Sequence, residues 1–331
     1  MSTHPPLYPL RFEPILQYRL WGGRHLEEWT GVKLPGTGPI GEAWLLSDRD
    51  DFPSHVADGP LKGKTIASLI EQSPELMLGE LISRFKRFPL LLKFLDVQKM
   101  LSVQVHPRDD QTALIPKGDT GKTEAWVVLE AQSGGRVYAG LKAGTTPDTL
   151  RTLSNQTADD YLPSFTPVAG QGILIEAGTI HSLGDGVVVF EVQENSDVTF
   201  RLYDWDHVDP KTNKKRDLQI DKALACIDFA QGTVTPVVPV PETAEPIMRE
   251  RLFDSPHFRM WRIQAAVPFT LGSSRTPHVL VCIDGAGCVQ FGGAAFEMTK
   301  GTVILLPAAL GVCCFQPEHN VTMLDITVPE I

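Results

Sequence analysis

The chain has 331 residues, 42% of them hydrophobic and 21% charged, with a formal net charge of −10. That length suits two ordinary domains or one large one with a sizeable core, and the composition is that of a folded globular protein, not a disordered one. So acidic a balance argues against nucleic acid or an anionic membrane as the main partner and leaves a small molecule as the expected one.

The start, Met1-Ser2-Thr3-His4-Pro5-Pro6, shows no basic region leading into an apolar core, and no later apolar run is long enough to span a bilayer. A cytoplasmic location is the expectation. Glycine (28) and proline (26) punctuate short β-branched runs, the pattern of an antiparallel β protein. The first clear elements are helical: residues 65–71, then 73–85, where Ser73 is placed to cap and Pro74 sits in the first turn. Strands are expected at 90–95, 101–105 and 125–129, a helix starting at Thr146-Pro147-Asp148, and strands at 172–175 and 187–193. Leu218, Ile220, Ala223, Leu224 and Ile227 form a helical stripe near 217–228.

The segment from Gly232 to Pro246 carries too many prolines for a central strand and is expected to be an extended connector. Further strands follow at 279–283, 288–291 and 302–306. The five cysteines, Cys226, Cys282, Cys288, Cys313 and Cys314, are odd in number and form no CxxC pair. They are expected to be reduced and structural, with Cys313 and Cys314 on opposite faces of a strand.

The most informative constellation is Gln104-Val105-His106-Pro107, then Glu124, then His181 in Ala177-Gly178-Thr179-Ile180-His181. Strand residues two apart share a face, so Gln104 and His106 can reach one common atom. Two imidazole nitrogens, a carboxylate and a neutral amide oxygen make a plausible divalent shell, and a neutral ligand leaves the ion a strong Lewis acid. Strand histidines are more often satisfied core or surface residues, so the weight rests on all four occurring together. An internal comparison sharpens this. Residues 170–181 align without gaps to 301–312, and the position of His181 becomes Val312, while His278 stands in the later half without a partner two residues on. The reading is a mainly β, double-barrel chain: a metal-binding unit at 1–231 with a helical segment at about 64–86, a connector at 232–247, and a metal-free unit at 248–331.

Four motifs in order resemble type I mannose-6-phosphate isomerase, a cupin family, in its short bacterial class: Phe94-Leu95-Asp96 through Pro107, Gly121-Lys122-Thr123-Glu124, Gly178-Thr179-Ile180-His181, and Glu191 through Arg201. Trp21-Gly22-Gly23 and Gly41-Glu42-Ala43-Trp44 extend the likeness to the N-terminal end. The resemblance implies a double cupin fold that binds one Zn2+ through Gln104, His106, Glu124 and His181 and interconverts mannose 6-phosphate and fructose 6-phosphate. It further implies active-site roles for Lys122, Glu191 and Arg201.

Read from the residues themselves, those three have alternatives. Lys122 is a surface lysine or a cation beside Glu124. Arg201 is a salt-bridge partner of Asp197 or Asp204, or a fork for a sugar oxyanion or phosphate. Glu191 is a solvated strand carboxylate, or a base whose pKa is raised by apolar neighbours. Two other functions fit a cupin: an oxygen-activating metal enzyme, which would favour another His where Gln104 stands, and a non-catalytic sugar-binding protein.

Overall fold

The computed structural model describes residues 7–330. The start at residues 1–6, read above as lacking a leader pattern, lies outside the described residues, as does Ile331. The fold is mainly β. A six-stranded antiparallel sheet has the order Ile15–Gly23, Ile40–Leu46, Leu90–Val97, Val187–Glu194, Glu124–Ala131, Gly172–Ile175. A five-stranded sheet faces it, in the order Phe200–Tyr203, Val103–Val105, His181–Gly184, Arg136–Ala139, Ser164–Phe165. Residues 240–327 supply an eight-stranded sheet.

The six-stranded sheet is covered on both faces, which is why its central strands read as near-continuous apolar runs, Leu-Leu-Leu-Lys-Phe-Leu-Asp-Val and Val-Val-Val-Phe-Glu-Val-Gln-Glu. Its outward residues, Leu92, Phe94 and Phe190, pack with Phe253, Phe258, Leu305, Leu324 and Ile326 of the eight-stranded sheet into one core. Its inward residues, Leu95, Trp126, Val128 and Val189, pack with Val137 and Leu183 of the five-stranded sheet. Lys93 and Glu191 interrupt the apolar runs on that inward face, and they mark where the interior turns polar.

Several local expectations change. Residues 73–85 are not one helix: Pro74–Leu78 is helical, and Gly79–Ser83 continues as a 3-10 turn. Gly79 breaks the helix because its backbone, at φ +58, lies so close to Arg275 that a Cβ would sit 2.2 Å from the Arg275 carbonyl oxygen. Ser73 makes no capping hydrogen bond, whereas Thr65 and Thr146 do cap their helices, Ile66–Gln72 and Pro147–Arg151. The stripe near 217–228 contracts to Ile220–Cys226, with Leu218 exposed.

The connector is not wholly free of strand. Val240–Thr243 pairs with Ile247–Asp254 as the outermost strand of its sheet, where Pro241 removes no hydrogen bond from a further neighbour. The runs at 279–283 and 288–291 belong to one bulged strand, His278–Phe291. All five cysteines are free, and Cys313 is buried while Cys314 is partly exposed. Among the described residues no helix is long and apolar enough to cross a membrane.

Candidate active site

The register of the five-stranded sheet sets one wall of the site. Arg201 lies opposite Gln104, and Gln104 lies opposite His181, so the three side chains line one face. His106 sits one residue beyond its strand and follows Gln104 into the same space. The facing wall comes from the six-stranded sheet, whose strand Glu124–Ala131 presents Glu124 at its first residue.

These groups converge. His106 Nε2 lies 3.3 Å from Glu124 Oε2, and His181 Nε2 lies 3.3 Å from Glu124 Oε1. Both imidazoles are turned the same way by the backbone: His106 Nδ1 lies 2.8 Å from the Val198 carbonyl and His181 Nδ1 lies 2.9 Å from the Thr179 carbonyl. Each Nδ1–H therefore donates outward, which leaves the Nε2 lone pairs aimed at the cluster, the usual arrangement behind a metal-bound histidine. Gln104 Nε2 is 3.3 Å from His181 Nε2, while its Oε1 accepts from Ser102 Oγ at 3.0 Å; a half-turn of the amide exchanges the two atoms.

Electrostatics keep the cluster in the protonation states a cation needs. Burial, with Lys122 beside it, pushes the His106 pKa down to about 3, and burial also lowers that of His181. Burial alone would raise Glu124, but Lys122 and His106 outweigh it and hold the carboxyl well below its usual range. Glu124 is an anion whose two oxygens, although close to Lys122 and the two neutral imidazoles, accept no well-formed hydrogen bond. The donor set fits a divalent ion. One ligand atom each from His106, Glu124 and His181 lie within 4.8 Å of one another, and imidazole nitrogens with a carboxylate are the donors such an ion takes.

Beside the cluster lies a cavity of about 400 Å³, lined among others by Gln104, Lys122, Glu191 and Arg201. Lys122 precedes the strand instead of lying in it, yet its Nζ reaches Glu124 Oε2 at 2.7 Å and His106 Nε2 at 3.2 Å. It is buried, not a surface lysine. Arg201 is half-buried and pairs with neither Asp197 nor Asp204, because Asp204 is held by Arg216. Its Nε is buried without a partner, and one terminal nitrogen donates to the Asp217 carbonyl at 3.3 Å. Burial and the nearby Arg216 lower its pKa.

Glu191 is neither solvated nor surrounded only by apolar groups. Burial raises its pKa, while Lys93 Nζ at 3.0 Å and the Trp126 indole N–H at 2.8 Å pull the other way. Lys93, in turn, is charged at neutral pH despite its burial, because Glu191 and Glu42 face it. Lys93, Glu42 and Arg19 line the cavity, although from sequence Glu42 stood only within a motif and none of the three had a role. A lysine inside Leu-Leu-Leu-Lys-Phe-Leu was the available signal: such a residue is tolerated in a covered strand only with a buried anion opposite.

Residues 10–125 match the family described as phosphomannose isomerase type I, catalytic domain. A probable mannose-6-phosphate isomerase of Bacillus subtilis is 33% identical, over 94% of this chain and 99% of its own length. A second mannose-6-phosphate isomerase of the same organism is 30% identical, over 92% of this chain and 94% of its own. The crystal structure of the mannose 6-phosphate isomerase from Bacillus subtilis superposes with a TM-score of 0.86 at 26% identity, covering 96% of this chain and 99% of that one.

Proposed function

The chain belongs to the type I phosphomannose isomerase family, and on that premise we propose that it interconverts mannose 6-phosphate and fructose 6-phosphate using one zinc ion. The observation that carries the reading is the convergence of two outward-anchored imidazoles on the two oxygens of Glu124, at the wall of a cavity rich in cations. His106, His181 and Glu124, with Gln104 through its amide oxygen, are the proposed ligands. A bound divalent ion supplies a Lewis acid for the oxygens of the reacting carbons. An oxygen-activating metal site, the alternative reading, would favour another histidine where Gln104 stands.

The reaction moves a proton between C1 and C2 of the sugar through an enediol, and negative charge grows on the carbonyl oxygen as the C–H bond breaks. Arg201 and Lys122 are the proposed groups that meet this charge, one as a planar fork and the other as a point cation. Glu191 is the proposed proton acceptor. Burial raises its proton affinity, and Lys93 beside Oε1 keeps it ionised when no proton is in transfer. Its Oε2 accepts from Trp126, which fixes the plane of the carboxylate. Arg19, held by two hydrogen bonds to Glu42, sets a further cation on the cavity wall for the phosphate.

Incubation of the purified protein with fructose 6-phosphate in deuterium oxide tests this. The reading expects mannose 6-phosphate carrying deuterium at C2, at a rate lost on chelation. Absence of any isomerised product from the metal-loaded protein would remove the assignment.

A further inference from the structure

The eight-stranded sheet repeats the layout of the catalytic sheet at its open end. Glu124 lies opposite Ile175, and His278 lies opposite Leu306, the residue that the match of 170–181 to 301–312 makes equivalent to Ile175. His278 is thus the counterpart of Glu124. The next strands keep step: Gln193 faces Glu124 as Thr327 faces His278, which makes Asp325 the counterpart of Glu191. Lys93 faces Glu191 as Trp261 faces Asp325, and Glu42 faces Leu95 as Arg249 faces Ile263. Glu124, Glu191, Lys93 and Glu42 are therefore answered by His278, Asp325, Trp261 and Arg249.

This second set is polar but chemically rebuilt. His278 Nδ1 lies 2.7 Å from Asp325 Oδ1, with Asp325 almost wholly buried. The Arg249 guanidinium stacks 4.5 Å from the Trp261 ring. Arg249 Nε and Trp261 Nε1 are buried donors without a hydrogen-bond acceptor, and the nearest carboxylate oxygens to Arg249 stand off at 3.5 Å (Glu242) and 3.9 Å (Asp325). Leaving buried donors unpaired is unfavourable, so apolar residues would be the better filling if this end of the sheet served packing alone. A cation is not the occupant: the counterpart of His181 is Val312, which is exposed, and His278 is committed to Asp325.

Arg249 opens onto a cavity of about 340 Å³ whose other walls include Pro246, Ile247, Ile263 and Phe269. We propose that this cavity is a second ligand site, taking a small organic carboxylate with an apolar body. The guanidinium fork matches a planar carboxylate, and the aliphatic and aromatic walls match its hydrocarbon part. The hydroxyls of Thr243 and Thr270 are too few to satisfy a sugar, and one arginine shared with Glu242 is poorly suited to a phosphate dianion.

Titration of the full, metal-loaded chain with hexanoate, followed by the Trp261 indole N–H in nitrogen-15 NMR and assigned with Trp261→Phe, tests the site. A saturable shift is expected at millimolar hexanoate, weakened at least about tenfold in Arg249→Gln, partly kept in Arg249→Lys, and absent with inorganic phosphate at equal ionic strength. Isomerase turnover should be the same in both arginine variants and the parent. No saturable shift, a shift of equal strength in Arg249→Gln, or an equal response to phosphate would overturn the proposal. Arg249 is partly exposed, so both variants should fold, and unchanged amide shifts in the six-stranded sheet verify this.

Discussion

Replacing Arg201 with alanine separates catalysis from stability more cleanly than any other change in the cavity. Its guanidinium makes one weak contact, 3.3 Å to the Asp217 carbonyl, and holds no carboxylate, because Arg216 has taken Asp204. Burial and Arg216 disfavour its charge, so folding gains little from keeping it there. Arg201→Ala should therefore leave the urea midpoint unchanged or slightly raised. If the fork meets charge that develops only in the transition state, kcat should fall on the order of a hundredfold, about 2.7 kcal/mol, with metal content intact. A lysine should recover part of the loss, since it keeps the charge without the fork. Steady-state kinetics on mannose 6-phosphate, with metal measured on the same samples, is the assay. A rise in KM alone would move Arg201 to ground-state binding of the substrate. Near-parental kcat and KM, or a large loss of stability, would refute the reasoning.

Lys93→Met should destabilise the fold by about 3 to 5 kcal/mol at pH 8, because Glu191 is left buried without its cation; urea denaturation should show a smaller loss at pH 5, where Glu191 can take up a proton. Glu42 has its folded pKa lowered from 4.5 to about 2, since Arg19 and Lys93 outweigh its burial. Its stabilisation, about 3 kcal/mol, is present above pH 4.5 and lost as pH falls towards 2, so the stability gap between the parent and Glu42→Gln should narrow over that range in denaturation at stepped pH. We propose that the two units divide at residues 232–247. Even so, a chain ending at Pro241 should aggregate on expression, because Leu92, Phe94 and Phe190 would lose the cover of Phe258, Leu305, Leu324 and Ile326; a soluble, fully active fragment would contradict that.

Much of the cluster was legible because the signals were local. Gln104 and His106 are two residues apart in one extended run, and the glycine-bounded run before His181 repeats, with valine in place of histidine, at 301–312. The mainly β double-barrel fold was legible for the same reason, in short β-branched runs set off by glycine and proline. What could not be read is what depends on pairing between distant strands. Glu191 meets Lys93 only because residues 187–194 lie beside 90–97, and Arg201 loses Asp204 to Arg216 only because the chain after Tyr203 folds back. The break at Gly79 likewise answers a backbone almost two hundred residues away, at Arg275. The row from His278 to Arg249 emerges only when the registers of two sheets are laid side by side.

The central claim is one divalent ion held by Gln104, His106, Glu124 and His181 and required for isomerisation. Stripping the purified chain with a chelator and titrating zinc back, with turnover and bound metal read on the same aliquots, tests it most directly. Activity should vanish in the stripped protein, return in proportion to bound zinc, and level off at one ion per chain, with His181→Ala neither retaining the ion nor recovering turnover. Full turnover from protein holding less than about a tenth of an equivalent of metal would contradict it.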